Sequence, residues 1–194
     1  MEILGKLLGS LARVKIMRLF LLNQKIGFNK KDIEKRSRVN KSILGKELNL
    51  LVSIGFIKKR TKDYIFNSSF KYGTEILGLL VNSDTIDSDA ILDIFKKTGK
   101  VKLIIISGVF IKNEDSRVDL LIVGDKLIKS KIDEGVHKLE AEIGTELVYA
   151  VFDSKEFAYR LNMYDKLIRD ILDFPNEIIF QSKELNLPKA TRQV

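Results

Sequence analysis

At 194 residues, with 45% hydrophobic content, the chain suits one large domain or two small ones, and its net charge of +8 is unevenly spread. Residues 1–72 hold 17 Lys/Arg against 5 Asp/Glu, net +12, while residues 73–194 hold 17 against 21, net −4. The lack of cysteine excludes disulfide frameworks and thiolate metal sites and is compatible with a cytoplasmic setting.

Lys6, Arg13, Lys15 and Arg18 interrupt every apolar run near the start, so neither a secretory signal nor a membrane span is expected. Ser10 is placed to cap a helix ending near Leu22, with Leu11, Val14, Ile16, Met17, Phe20 and Leu21 forming a broad apolar face. Asn29 caps a shorter helix over residues 30–37, where Ile33 is the main buried side chain. Asn40 opens a third helix that stops at Gly55. Its inner face is Leu44, Leu48, Leu51 and Ile54; its outer face is Asn40, Lys41, Ser42, Gly45, Lys46 and Asn49. Small, polar and basic residues of this kind fit a major groove and reach base edges or phosphates. Residues 56–60 and 63–67 alternate as two strands around Thr61 and Lys62.

Residues 74–81 predict a linker helix with an apolar side suited to a dimer contact, and Ser88 caps a further helix over residues 89–97. Residues 101–107 form a nearly continuous apolar run, as in a strand buried on both faces, and residues 117–123 form a second strand ended by Gly124 and Asp125. A helix follows over residues 130–143, with Ile132, Val136, Leu139 and Ile143 inward. Residues 146–152 form a third strand. One helix is predicted over residues 155–172, with Phe157, Leu161, Tyr164, Ile168 and Ile171 as its core stripe, then a last strand over residues 177–180. The expected class is α/β (α+β), a mixed sheet with covering helices behind a helical, hairpin-ended domain. The boundaries are residues 1–72, linker helices 73–98, a sheet domain 99–184 and a frayed tail 185–194.

The order helix, helix, helix, basic hairpin over residues 8–70 resembles the winged helix-turn-helix of transcriptional regulators, most closely along residues 42–60. The resemblance implies that residues 41–54 enter the major groove of double-stranded DNA and that residues 58–62 form a wing against its backbone. The DNA-contacting set is then Asn40, Lys41, Ser42, Lys46, Asn49, Lys58, Lys59, Arg60 and Lys62. A homodimer would extend the readout over paired half-sites. A winged helix used only for protein docking, or a basic face that is merely solvated, are the plainer alternatives.

Residues 101–180 resemble the nucleotidyltransferase fold of the polymerase-beta type. The likeness lies in Ser107, Gly108, Val109 and Phe110, residues 116–125, residues 143–149, and Glu156, Phe157 and Arg160. Active members of that family cradle nucleotide phosphates on a Gly-Ser turn. They hold metal ions with two acids one residue apart and a third acid nearby. Here Val109 stands in place of the serine, Arg117 in place of the first acid, and the intervening loop is about three residues shorter. Asp119 and Glu146 are the vestigial acids, so no nucleotidyl transfer and no cofactor are expected; Mg²⁺ enters only if the domain is an active enzyme. Arg117 is open to a salt bridge with Asp119 or Glu146, or, with Gly108, to gripping a nucleotide phosphate. Glu114, Asp115 and Asp125 read as solvated acids, and His137 as a surface or helix-packing residue. The leading expectation is a DNA-binding regulator whose sheet domain serves dimerisation, ligand sensing or partner binding. An active nucleotidyltransferase and an antitoxin-like partner of a toxin are the alternatives.

Overall fold

A computed structural model describes residues 2–82, 87–113, 115–185 and 187. The chain divides into two compact units, Met1–Asp84 with His137–Glu146, and Thr85–Val136 with Leu147–Val194. Together they make a mixed α/β protein with a four-stranded mixed sheet.

The first unit opens with α1 (Glu2–Leu7), α2 (Leu11–Leu22), α3 (Lys30–Ser37) and α4 (Lys41–Ser53). The starts of the last three follow the capping logic. Ser10 accepts the Arg13 N–H, Asn29 accepts those of Lys31 and Asp32, and Asn40 accepts that of Ser42. Between α3 and α4 the chain turns through Arg38, which adopts a left-handed conformation at φ 51°. Gly55 at φ +75° ends α4 as its type demands. Strands β1 (Ile57–Lys59) and β2 (Tyr64–Phe66) then pair antiparallel, Ile57 opposite Phe66, with the Arg60 N–H donated to the Asp63 carbonyl across the turn. Phe28 and Tyr64 exchange both backbone hydrogen bonds, adding a bridge at the hairpin's edge.

Phe20, Ile33, Leu48, Leu51 and Phe56 form the center of this unit's core, and Phe56 meets the Phe66 and Phe70 rings edge-on at 5.3 Å each. Full burial of each such side chain contributes about 2 kcal/mol. Three expectations change here. Leu11 and Ile54 lie half exposed, because α1 and the C-cap of α4 take the positions where periodicity would bury them. Helix α1 itself was not anticipated; it packs on α2 so closely that a Cβ on Gly5 would lie 2.3 Å from Leu11. The stretch expected as a dimer contact is α5 (Gly73–Leu77) continued by a π-helical turn, Gly78–Asn82. Leu80 is fully buried there and Ile76, Leu77, Leu79 and Val81 pack on the same core, so its apolar side is covered from within.

The second unit begins with α6 (Ser88–Phe95), capped by Asp87 rather than Ser88. Then come β3 (Lys100–Ile106), a 3₁₀ turn at Gly108–Phe110, β4 (Leu120–Asp125), α7 (Lys129–Ile143), whose last turns belong to the first unit, and β5 (Tyr149–Phe152). Strand order is β5-β4-β3-β6, where β6 is Glu177–Gln181. β3 pairs antiparallel with both β4 and β6, and β4 pairs parallel with β5, Leu120 beside Tyr149, across the α7 crossover. Ile104, Ile106, Leu120 and Ile122 are as buried as Leu103, Ile105, Leu121 and Val123, so β3 and β4 are covered on both faces. Ile132, Val136 and Leu139 of α7 are buried as expected, and Ile143 only partly so.

The helix expected over residues 155–172 is two helices, α8 (Ser154–Asn162) and α9 (Lys166–Asp173). Tyr164 turns the chain at φ 54°, and Asp165 caps α9 by accepting the Leu167 and Ile168 N–H groups. Tyr164 is therefore 75% exposed rather than part of the core stripe, while Phe157, Ile168 and Ile171 are buried. Both β4 and β5 start three residues later than expected, and the residues in front of them, Arg117, Val118, Asp119 and Glu146 included, are left for other contacts. Among the described residues no helix is long and apolar enough to cross a membrane.

Candidate nucleic-acid interface

Helix α4 buries Leu44, Glu47, Leu48 and Leu51, which leaves Lys41, Ser42, Lys46 and Asn49 outward. Ser42, Lys46 and Asn49 recur at spacings of four and three, so they share one face. Gly45 lies beside them, and a Cβ built on it would meet nothing within 4 Å. Asn40 and Ser42 are already committed locally: the Asn40 Oδ1 accepts both the N–H and the hydroxyl of Ser42, at 3.0 and 2.9 Å. Their first role is to start the helix, and Asn49 is the outer-face amide without such a duty.

Lys58, Lys59, Arg60 and Lys62 are all exposed on the hairpin. Among the described residues neither these four nor Lys41 and Lys46 have an ion-pair partner. Other cations of the same unit are used internally. Arg13 donates to Glu47 at 2.8 Å and Lys15 to Glu142 at 2.6 Å. Arg36 pairs with Glu146 at 2.7 Å. Arg18 is 96% buried and donates to the Leu80 and Glu142 carbonyls at 2.7 and 3.0 Å. The excess charge is thus sorted: part ties the fold together, and the part on α4 and the hairpin stays available to a polyanion.

Sequence reasoning overlooked Lys30 and Lys31. With Glu34, Lys41, Leu44 and Gly45 they line an open groove of about 480 Å³ between α3 and the start of α4. The signal was present, since both are lysines that directly follow the Asn29 cap in the first turn of α3.

The second group of expected site residues comes together differently from the resemblance. Asp119 is nearly buried, and its carboxylate accepts the Val109 N–H at 2.9 Å and the Val148 N–H at 2.8 Å. Its own carbonyl accepts the Ser107 N–H at 2.9 Å. Gly108, at φ +56°, makes room for this carboxylate: a Cβ there would lie 2.0 Å from Asp119 Oδ1. Asp119 therefore joins the turn after β3 to the segment entering β5, and Val109 takes part through its backbone. Arg117 pairs with Asp170 of α9, not with Asp119 or Glu146, and Glu146 is an exposed partner of Arg36. Asp125, expected to be a solvated acid, pairs with Lys102 at 2.9 Å. That ammonium, helped by the Ser154 N–H, holds the Asp125 carboxyl down to about 2. Asp115 is exposed, Glu114 lies outside the described residues, and His137 is an exposed partner of Glu140 at 2.8 Å. No three His, Asp or Glu side chains among the described residues are grouped to hold a metal ion.

No protein-family model, curated protein or solved structure matches this chain.

Proposed function

We propose that residues 8–70 act as a winged helix-turn-helix that binds double-stranded DNA, with α4 in the major groove and the hairpin against the phosphate backbone. The chain is then a transcriptional regulator. The observation that carries this reading is the sorting of charge in the first unit. Lys41, Lys46, Lys58, Lys59, Arg60 and Lys62 are exposed without ion-pair partners among the described residues, while Arg13, Lys15, Arg18 and Arg36 are engaged in the fold. Unpaired cations on a surface release counterions from DNA and give affinity that falls steeply with salt.

The second unit is read as a nucleotidyltransferase-like domain that transfers no nucleotide and serves ligand sensing or partner binding. Support comes from Asp119, whose two carboxylate oxygens are each engaged by a backbone amide, and from Arg117, which is turned to Asp170.

The test is fluorescence anisotropy of a labelled mixed-sequence duplex with the full chain across a salt series. The expected result is binding with a steep negative slope of log affinity against log salt. The slope should shrink by about one per phosphate contact removed when Lys58, Lys59 and Arg60 are replaced by Ala. No binding at low salt refutes the reading, and affinity unchanged in the triple variant removes the hairpin from it.

A further inference from the structure

A cavity of about 540 Å³ lies within the first unit, between α3, the segment leading into it, and the chain at 137–146. Its size suits a small molecule. Leu19, Ile26 and Phe28 provide its apolar lining, and Ile26 is half exposed above it. The charged lining is balanced: Lys35, Arg36 and Arg38 stand against Asp32, Glu140 and Glu146. Such a balance disfavours a polyphosphate, because three carboxylates would repel it at short range.

The pairing within the lining narrows the choice. Arg36 is neutralised by Glu146, and Glu140 accepts from His137. Asp32 and Lys35, one turn apart on α3, pair neither with each other nor with any other group among the described residues. Arg38 has a partner of its own, so one unpaired anion and one unpaired cation remain beside an apolar wall. A ligand that satisfies all three carries an ammonium, a carboxylate one carbon away and an apolar group. We propose that this cavity binds a free amino acid with a large apolar side chain, its carboxylate on Lys35, its ammonium on Asp32 and its side chain against Ile26 and Phe28. No residue of α4 or of the hairpin lines the cavity, although Lys35 also borders a shallow surface with Asn40 and Lys41, and the proposal does not depend on the DNA reading.

The test is isothermal calorimetry of the full chain, without DNA, against L-leucine, L-isoleucine, L-methionine and L-phenylalanine. At least one should bind saturably with a Kd of about 1 mM or tighter. Its N-acetyl and amide derivatives, each lacking one charge, should bind about tenfold more weakly or worse. Asp32→Asn and Lys35→Met, both at exposed positions, should each weaken the free amino acid about tenfold while leaving the thermal melt unchanged. No saturable binding of any of the four up to about 10 mM overturns the proposal. Blocked derivatives that bind equally well, or affinity unchanged in both variants, also overturn it. Because no DNA is present, failure here leaves the DNA reading standing, and failure of DNA binding leaves this one standing.

Discussion

Arg13 of α2 donates its Nε–H to the Glu47 carboxylate at 2.8 Å, and Glu47 lies on the inner face of α4 with only 4% of its surface exposed. The helix that offers Lys46 and Asn49 outward is thus anchored inward through a charge next to Lys46. Replacing Arg13 by Met leaves a buried carboxylate without its cation, and a loss of about 3 kcal/mol in unfolding free energy is expected. The double variant Arg13→Met with Glu47→Leu should recover most of that loss, because the uncompensated charge is gone. Urea denaturation of the three proteins checks both statements. A double variant as weak as the single one would show that the pair is needed for more than neutralisation.

On the outer face of α4, Asn49 and Lys46 should behave differently. Asn49→Ala is expected to change which sequences are preferred, at about 1–3 kcal/mol for a lost base contact, with little change in salt dependence. Lys46→Ala should weaken all duplexes alike and lower the salt slope by about one. Selection from a random duplex pool, followed by salt titration of the winners, separates the two effects. Asn40→Ala should instead lower stability by about 1 kcal/mol, since its side chain caps the helix.

Asp119 is expected to matter for folding rather than for turnover. Asp119→Ala removes the acceptor of the Val109 and Val148 N–H groups in a nearly closed site, and a loss of about 1–3 kcal/mol follows. Asp119→Asn should cost a similar amount, because its amide turns an N–H toward one of those donors. Gly108→Ala should also destabilise, through the 2.0 Å approach to Asp119 and the positive φ. Thermal melts measure all three. Incubation of the intact chain with labelled nucleoside triphosphates, Mg²⁺ and candidate acceptors should give no transfer. Transfer that disappears in Asp119→Asn would restore the enzyme reading.

The Asp125–Lys102 pair predicts an acid-sensitive contribution to stability. In the folded chain the Asp125 carboxyl is held at about 2, below its ordinary value of 3.8, first by the Lys102 ammonium and then by Ser154. A carboxyl depressed by folding stabilises fully above its unfolded value, and this contribution is lost as pH falls from 3.8 toward 2. Asp125→Asn should therefore be less stable than the parent at neutral pH, and the gap should narrow across that window. Chemical denaturation at several pH values checks this; a gap independent of pH would assign the effect to packing.

Much of the first unit could be read locally. Ser10, Asn29, Asn40 and Gly55 mark helix ends through contacts with backbone groups only a few residues away, so the signal and its cause lie in the same short stretch. The apolar runs that became β3 and β4, and the buried positions of α7, were likewise legible from periodicity and run length. The outward residues of α4 followed from the position of its inner leucines.

What the sequence by itself determined was therefore most of the elements, α1 and the split between α8 and α9 excepted, and the placement of excess charge; which partner each charge meets was decided only by the tertiary structure. Arg18, which in the sequence only interrupts an apolar run, is buried on carbonyls of Leu80 and Glu142, and Arg117 finds Asp170 rather than the nearby Asp119. An ion pair depends on distance in space, and the chain positions that folding brings together leave no periodic trace in sequence. The break at Tyr164 escaped for a related reason. Phe157, Leu161, Ile168 and Ile171 keep helical spacing on both sides of it, and the competing signal was one aspartate, Asp165, acting as a cap. The cavity beside Asp32 and Lys35 belongs wholly to the tertiary level, because its walls come from distant segments of one unit and its unpaired charges are defined only once their neighbours have paired.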